Sequence, residues 1–228
     1  MIILVGMADQ GVKSGMQITS PNGQDNEGAG AKGAKRRHQV IAAAAACFRK
    51  EGFHGTSIAR ISKAAGMSPG HIYHYFPTKE AIVSAIVEDE ESELAALIRA
   101  LEEADPDGDF LELVRARIDS MIERSLDPDH RSLMLEIAAE GARNPVIASI
   151  LQDSDRRVAD RFAQLARRMS GASALGRADE ADLRARLELL PVLISGLAAR
   201  FGHKANAETP RMAALIKDAI TYIWSAKA

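Results

Sequence analysis

Aromatic side chains are scarce in this 228-residue sequence: six Phe, three Tyr and one Trp make up 4% of it, against 46% hydrophobic residues overall. An interior drawn largely from Ala, Leu, Ile and Met suits packed helices and disfavours a β-sandwich, whose pleated faces use aromatic and β-branched side chains. An all-α fold is therefore expected. Cysteine is almost missing as well. The lone Cys47 excludes a disulfide framework within the chain and fits a reducing compartment, and inside the run AAAAACF it reads as a buried structural thiol. No stretch approaches the roughly 20 uninterrupted apolar residues of a membrane span. The apolar start, Met1 to Val5, is too short for a signal-peptide core and has no basic segment before it. A cytoplasmic protein with no membrane partner is expected. HExxH, a nucleophile elbow, paired cysteines and carboxylate-rich metal motifs are all missing, so no enzyme and no cofactor are expected.

What charge there is falls unevenly. The formal net charge of −2 hides a basic segment, residues 34–80, with eight Lys or Arg against two Glu, a balance of +6 that also holds four of the six histidines. Residues 81–228 carry 19 basic and 26 acidic side chains. A segment of this sign suits a polyanion, and the remainder would repel one.

Residues 1–33 are rich in Gly, Asn, Gln, Asp and Ser without a sustained period and read as a disordered arm. The arm contains a literal GxGxxG, at Gly28, Gly30 and Gly33. With SPNGQDNE before it there is no strand to aim the turn at a pyrophosphate, so no nucleotide site is expected. From Arg37 onward Val40, Ile41, Ala44, Cys47 and Phe48 share one helical face, with Gly52 as the stop. Thr56 is the expected N-cap of a second helix with Ile58, Ile61 and Ala65 inward, ended by Gly66. Ser68 and Pro69 open a third short helix that Pro77 closes. Thr78 caps a fourth, which runs past EDEESE, Glu88 to Glu93, expected to be a solvated face. The turns DPDGD, DPD and RNP bound helices near 109–126, 130–142 and 145–170, and two more are expected near 179–202 and 208–226.

Two short helices joined through a glycine turn form a helix-turn-helix, whose second helix enters a DNA major groove with its N-terminal residues against base edges. In the third helix Ile72 and Phe76, at i and i+4, fill the core face. Ser68, His71, His74 and Tyr75 are left outward, next to Lys79, able to meet bases and phosphates. Two other readings of the same stretch exist: a helical adaptor that uses the motif for protein contact alone, which leaves the +6 balance unexplained, and a metal-responsive regulator using the His71/His74 pair, for which a third ligand at matching spacing is missing.

The stretch RRHQVIAAAAACFRKEGFHGTSIARISKAAGMSPGHIYHYFPTKEAI, Arg36 to Ile82, resembles the DNA-binding domain of the TetR family of bacterial transcriptional regulators. FHGTS followed by AAGMSPGHIYHYFPTKE is its most specific part. The resemblance implies an N-terminal three-helix DNA-binding domain, residues 34–80, and a larger helical ligand-binding and dimerisation domain, residues 81–228. It further implies a homodimer that binds a palindromic operator in double-stranded DNA, most simply as a repressor, and answers to a small-molecule effector. Carried across, it gives Thr56, Tyr75 and Lys79 to phosphates and Gly70, His71 and His74 to bases. Tyr73 lies at the groove edge, and Ser57, Ser68, Pro69, Arg36 and Arg37 lie where the DNA face is approached. Arg60 stands where acidic residues are frequent, and either a backbone contact or a pairing with a nearby carboxylate would account for it.

For the sensing half, apolar residues at helical spacing supply pocket candidates: Phe110, Val114, Met121, Ile122, Met134, Ile137, Phe162, Leu165, Met169 and Leu193. The scarcity of basic clusters among them points to a hydrophobic or amphipathic effector. The resemblance implies that the last two helices dock on their two-fold mates through Ser195, Gly196, Ala199, Leu215, Ala219 and Tyr222; an intramolecular hairpin is the alternative. Pro191 is expected to kink the first of these helices.

Overall fold

The computed structural model describes residues 24–104, 109–170, 178–201 and 209–225, and the regular structure in them is entirely helical. In chain order the helices are α1 (Gln24–Gly55), α2 (Ile58–Ala65), α3 (Pro69–Tyr75), α4 (Lys79–Ala104), α5 (Phe110–Leu126), α6 (Pro128–Gly141), α7 (Pro145–Ser170), α8 (Glu180–Phe201) and α9 (Thr209–Ser225). They fall into two compact units that meet inside α4, one ending at Ile86 and the other beginning at Val87.

The first unit follows from its caps. Gly52, at φ 73 and ψ 166, breaks the helical path of α1 where a side chain would be strained, which gives the expected stop. Two expectations are corrected here. Residues 24–33 were read as part of a disordered arm, but they continue α1 without interruption. Lengthening an existing helix adds a hydrogen bond per residue without a new nucleation cost, and the Gln, Glu, Lys and Ala among the glycines suffice. The GxGxxG glycines thus lie in a helix, not in a phosphate-cradling loop; the rest of the arm, residues 1–23, lies outside the described residues. The N-cap of α2 is Ser57 rather than Thr56: the Ser57 hydroxyl accepts from the Arg60 N–H at 3.2 Å. At its other end Gly66 adopts the left-handed conformation, φ 62 and ψ 34. Its N–H donates to the Lys63 carbonyl and the Met67 N–H to that of Ser62, the paired bonds of a Schellman motif. Val40, Ala44, Phe48, Phe53, Ile61, Ile72, Phe76, Ile82 and Val83 are buried together. At about 1.5–3 kcal/mol for each large apolar side chain, Ile72 and Phe76 suffice to seat a seven-residue helix that would not persist alone. Cys47 is buried as expected, and that burial raises its pKa.

The second unit is a helical assembly in which α5 packs on α6, α7, α8 and α9. Asp109 caps α5 through the Leu111 and Glu112 N–H groups, and Asp127 caps α6 through that of His130. α8 continues through Pro191. The Phe110 ring stacks on Trp224 at 5.3 Å and meets Phe162 edge-on at 6.5 Å. Arg186 donates to Asp182 on its own helix and to the Ile223 carbonyl, while the Trp224 indole N–H donates to the Arg186 carbonyl at 2.9 Å, tying α8 to α9. No helix of the described residues is long and apolar enough to cross a membrane.

Candidate nucleic-acid interface and effector pocket

α3 is held by one face. Ser68, in extended conformation, caps it by accepting from the His71 N–H, Pro69 fills the first turn, and Ile72 is fully buried. The opposite face stays open: Ser68, Pro69, Gly70, His71, Tyr73 and His74 are all exposed, Tyr73 at 54%. A Cβ added at Gly70 would meet nothing within 4 Å. The His71 ring stacks on Tyr75 at 5.6 Å and 14°, and His74 meets Tyr75 edge-on at 5.1 Å. The half-buried Tyr75 therefore acts as a plate that limits the rotamers of both imidazoles, so these donors and acceptors stand at fixed positions.

The supporting contacts explain the spacing of the motif. The Gln39 amide donates to the Ala65 carbonyl at 2.8 Å, and the Ser62 hydroxyl donates to the Met67 carbonyl, so the turn between α2 and α3 is bonded on both sides. Lys79 crosses from the start of α4 to the α1–α2 turn. Its ammonium donates to the carbonyls of Phe53 at 2.6 Å and Thr56 at 2.9 Å and lies 4.2 Å from the centre of the Phe53 ring. The residue expected at a phosphate is first an internal clip, with one N–H still to give. Thr56 is 1% exposed and its hydroxyl donates to the Gly52 carbonyl, so its side chain offers no surface for the phosphate contact expected of it. Ser57, beside it, is exposed. Arg60 pairs with Glu51 through two N–H groups, which decides between the two readings of that residue in favour of the carboxylate. Arg36 is exposed and bonds Gln39, while the half-buried Arg37 lays its guanidinium 5.3 Å from the Phe76 ring centre. Among the described residues no third histidine, cysteine or carboxylate joins His71 and His74 in a metal-sized cluster.

In the second unit the acidic run departs from expectation. Val87, Glu91, Leu94 and Ile98 form one buried stripe of α4, which places Glu91 at a core position, 6% exposed. Arg157 of α7 meets it with two hydrogen bonds, 2.9 and 2.6 Å. Glu90 accepts from Arg124 with both oxygens at 2.8 Å, and His130 Nδ1 lies 3.6 Å away. Burial pushes both carboxyls up, but the arginines, with His130 at Glu90, outweigh it and hold both below the ordinary value. The run is thus only partly a solvated face.

These two carboxylates border a cleft of about 610 Å³, its open mouth included. Leu94, Phe162, Leu187, Leu190, Pro191 and Trp224 supply apolar wall, and Asp155 and Glu188 add two further carboxylates. Of the ten pocket candidates only Phe162 lines it. Phe110, Val114, Met121, Ile122, Met134, Ile137 and Leu165 are buried core, and Met169 and Leu193 are half-buried away from the lining. Apolar periodicity marks every inward residue alike and cannot separate wall from filling. The missed residues had one visible signal: carboxylates at helical positions that otherwise point inward. The candidates for dimer contact divide too. Gly196, Ala199, Leu215 and Tyr222 are exposed, with Val192 beside them, and Ala219 is half-buried, but Ser195 is 5% exposed and turns into its own subunit.

A profile described as bacterial regulatory proteins of the tetR family matches residues 40–86. The HTH-type transcriptional regulator UidR of Escherichia coli K12 is 33% identical over 130 residues, 56% of this chain and 63% of that protein. Residues 40–86 are thus a tetR-family segment. The HTH-type transcriptional repressor AcnR of Corynebacterium glutamicum is 27% identical to this chain over 118 residues, 52% of it and 57% of that protein. Both alignments span less than two thirds of the relative's length. The solved structure of Salmonella enterica GusR superposes with a TM-score of 0.62 at 25% identity, over 84% of this chain and 96% of that one. The named relatives are transcriptional regulators, not enzymes.

Proposed function

We propose that this chain is a cytoplasmic, ligand-responsive repressor that binds a palindromic operator as a homodimer and is released by a small hydrophobic or amphipathic effector. The observation that carries the reading is the one-sided burial of α3: Ile72 and Phe76 inward, with His71, Tyr73 and His74 outward on the basic segment. A helix packed so, at the front of a helix-turn-helix, has the geometry to place its N-terminal side chains against base edges. The relatives named above, a regulator and a repressor, support the same class. The acidic second unit repels the same polyanion.

A mate docked on the exposed stripe of α8 and α9 would cover Val192, Leu215 and Tyr222 and give two copies of α3, which one turn of duplex requires about 34–36 Å apart. α4 belongs to both units, and Glu90, Glu91 and Leu94 on it line the cleft. An effector in the cleft acts by favouring an α4 position that spoils this spacing. A coupling of roughly 1–3 kcal/mol changes operator affinity about 5- to 150-fold. The test is a fluorescence-anisotropy titration of selected duplexes across salt concentrations. The expected result is a linear fall of log K with log salt and, for His74→Ala, an altered preference among operators. Uniform weakening of all duplexes by that variant would show that His74 reads no base.

A further inference from the structure

We propose that the effector is an organic cation carried on an apolar body, held by the carboxylates and the apolar wall of the cleft between α4, α7, α8 and α9. This rests on the reading of that cleft as the effector site and adds the sign of the charge it recognises.

The lining accepts but does not donate. Its polar side chains are the four carboxylates Glu90, Glu91, Asp155 and Glu188 and the indole of Trp224. The indole N–H is spent on the Arg186 carbonyl and the ring is stacked on Phe110, so the almost fully buried indole adds apolar wall and no donor. Among the described residues no Lys, Arg or His lines the space. Arg124 and Arg157, which hold Glu90 and Glu91 ionised, are not among the lining residues, so the guanidinium groups are not offered to a ligand.

Such a lining discriminates by charge. An anion would lie beside Asp155 and Glu188, with Glu90 and Glu91 already holding their arginines and no lining cation among the described residues to receive it. A neutral polyhydroxy molecule would bury hydroxyl oxygens against leucine, proline and phenylalanine without a donor to satisfy them. A cation finds opposite charge and acceptors for any N–H it carries, while its hydrocarbon displaces water from the apolar wall.

Trp224 is the single tryptophan of the chain and reports on the cleft directly. Tetraphenylphosphonium and tetraphenylborate have nearly the same shape and opposite charge, so the full-length protein is titrated with each while Trp224 emission is followed, without DNA. Saturable quenching by the phosphonium, about tenfold tighter than by the borate, is expected, a difference of about 1.4 kcal/mol. Asp155→Asn and Glu188→Gln are each expected to weaken the phosphonium roughly 2- to 5-fold, as for partly exposed charge pairs, and to leave the borate unchanged or tighter. Circular dichroism checks that the variants are folded. Equal or tighter binding of the borate, absence of saturable quenching by the phosphonium, or indifference of the phosphonium to both variants overturns the proposal. Duplex titrations on the same samples keep the DNA-binding reading separate, since they succeed or fail independently of any of these results.

Discussion

Replacing Lys79 by Met keeps most of the aliphatic stem and removes the ammonium. The Phe53 and Thr56 carbonyls lose a charged donor at 2.6 and 2.9 Å, and the Phe53 ring loses a cation at 4.2 Å. Hydrogen bonds to charged groups contribute about 1.5–3 kcal/mol when fully buried. Lys79 is half-buried, so about 1 kcal/mol each is the better figure, and the ring contact adds about 0.5–1 kcal/mol. A loss of about 2–3 kcal/mol follows, or a fall in Tm of roughly 4–12 °C for a chain of this size. Thermal denaturation followed by circular dichroism measures it. The ammonium also keeps one N–H, which we assign to a phosphate. The same variant should therefore flatten the slope of log K against log salt by about 0.9. An unchanged Tm would refute the clip, and an unchanged slope would refute the phosphate contact.

Three further perturbations isolate other parts of the account. Gly66→Ala forces a side chain into the left-handed region where a Cβ meets nothing within 4 Å, so the loss is backbone strain alone, about 1 kcal/mol, read by urea denaturation. Glu90 and Glu91 have folded-state pKa values below their unfolded ones, so their contribution is full above about pH 4.5, the ordinary value, and is lost as pH falls through the folded values. Glu91→Gln should cost about 2 kcal/mol at pH 7, discounted because Arg157 is half exposed, and should shrink the acid-side loss of stability; an unaltered acid limb contradicts the assignment. Leu215→Asp, at an exposed apolar position of α9, should shift sedimentation toward monomer without lowering the Tm of the isolated subunit; an undisturbed dimer would place the two-fold contact elsewhere.

The fold was legible where local chemistry is decisive. Gly52, Gly66, Ser68, Asp109 and Pro145 each mark a boundary by a backbone property that no tertiary contact needs to supply. The outward set of α3 followed from Ile72 and Phe76, because a helix of seven residues has room for only one buried face. Legibility failed where one particular acceptor or partner decides. Thr56 and Ser57 are both good caps by type, and the choice fell to Gly52, whose carbonyl takes the Thr56 hydroxyl. Glu91 shares a helical face with Val87, Leu94 and Ile98, but what allows a carboxylate there is Arg157, 66 residues later. Lys79 looked like a free cation because its acceptors are main-chain carbonyls, which the sequence does not display. Ser195 joined the small-residue stripe by composition, but its side chain turns inward.

The most direct test of the central claim is selection by the purified protein from a pool of random duplexes at low salt, followed by sequencing of the bound fraction. The account predicts an enriched palindrome with half-site centres about 10–10.5 base pairs apart or a multiple of that spacing, and loss of the enrichment when His71 and His74 are both replaced by Ala. A protein that enriches no sequence, or retains no duplex at any salt concentration, would contradict it.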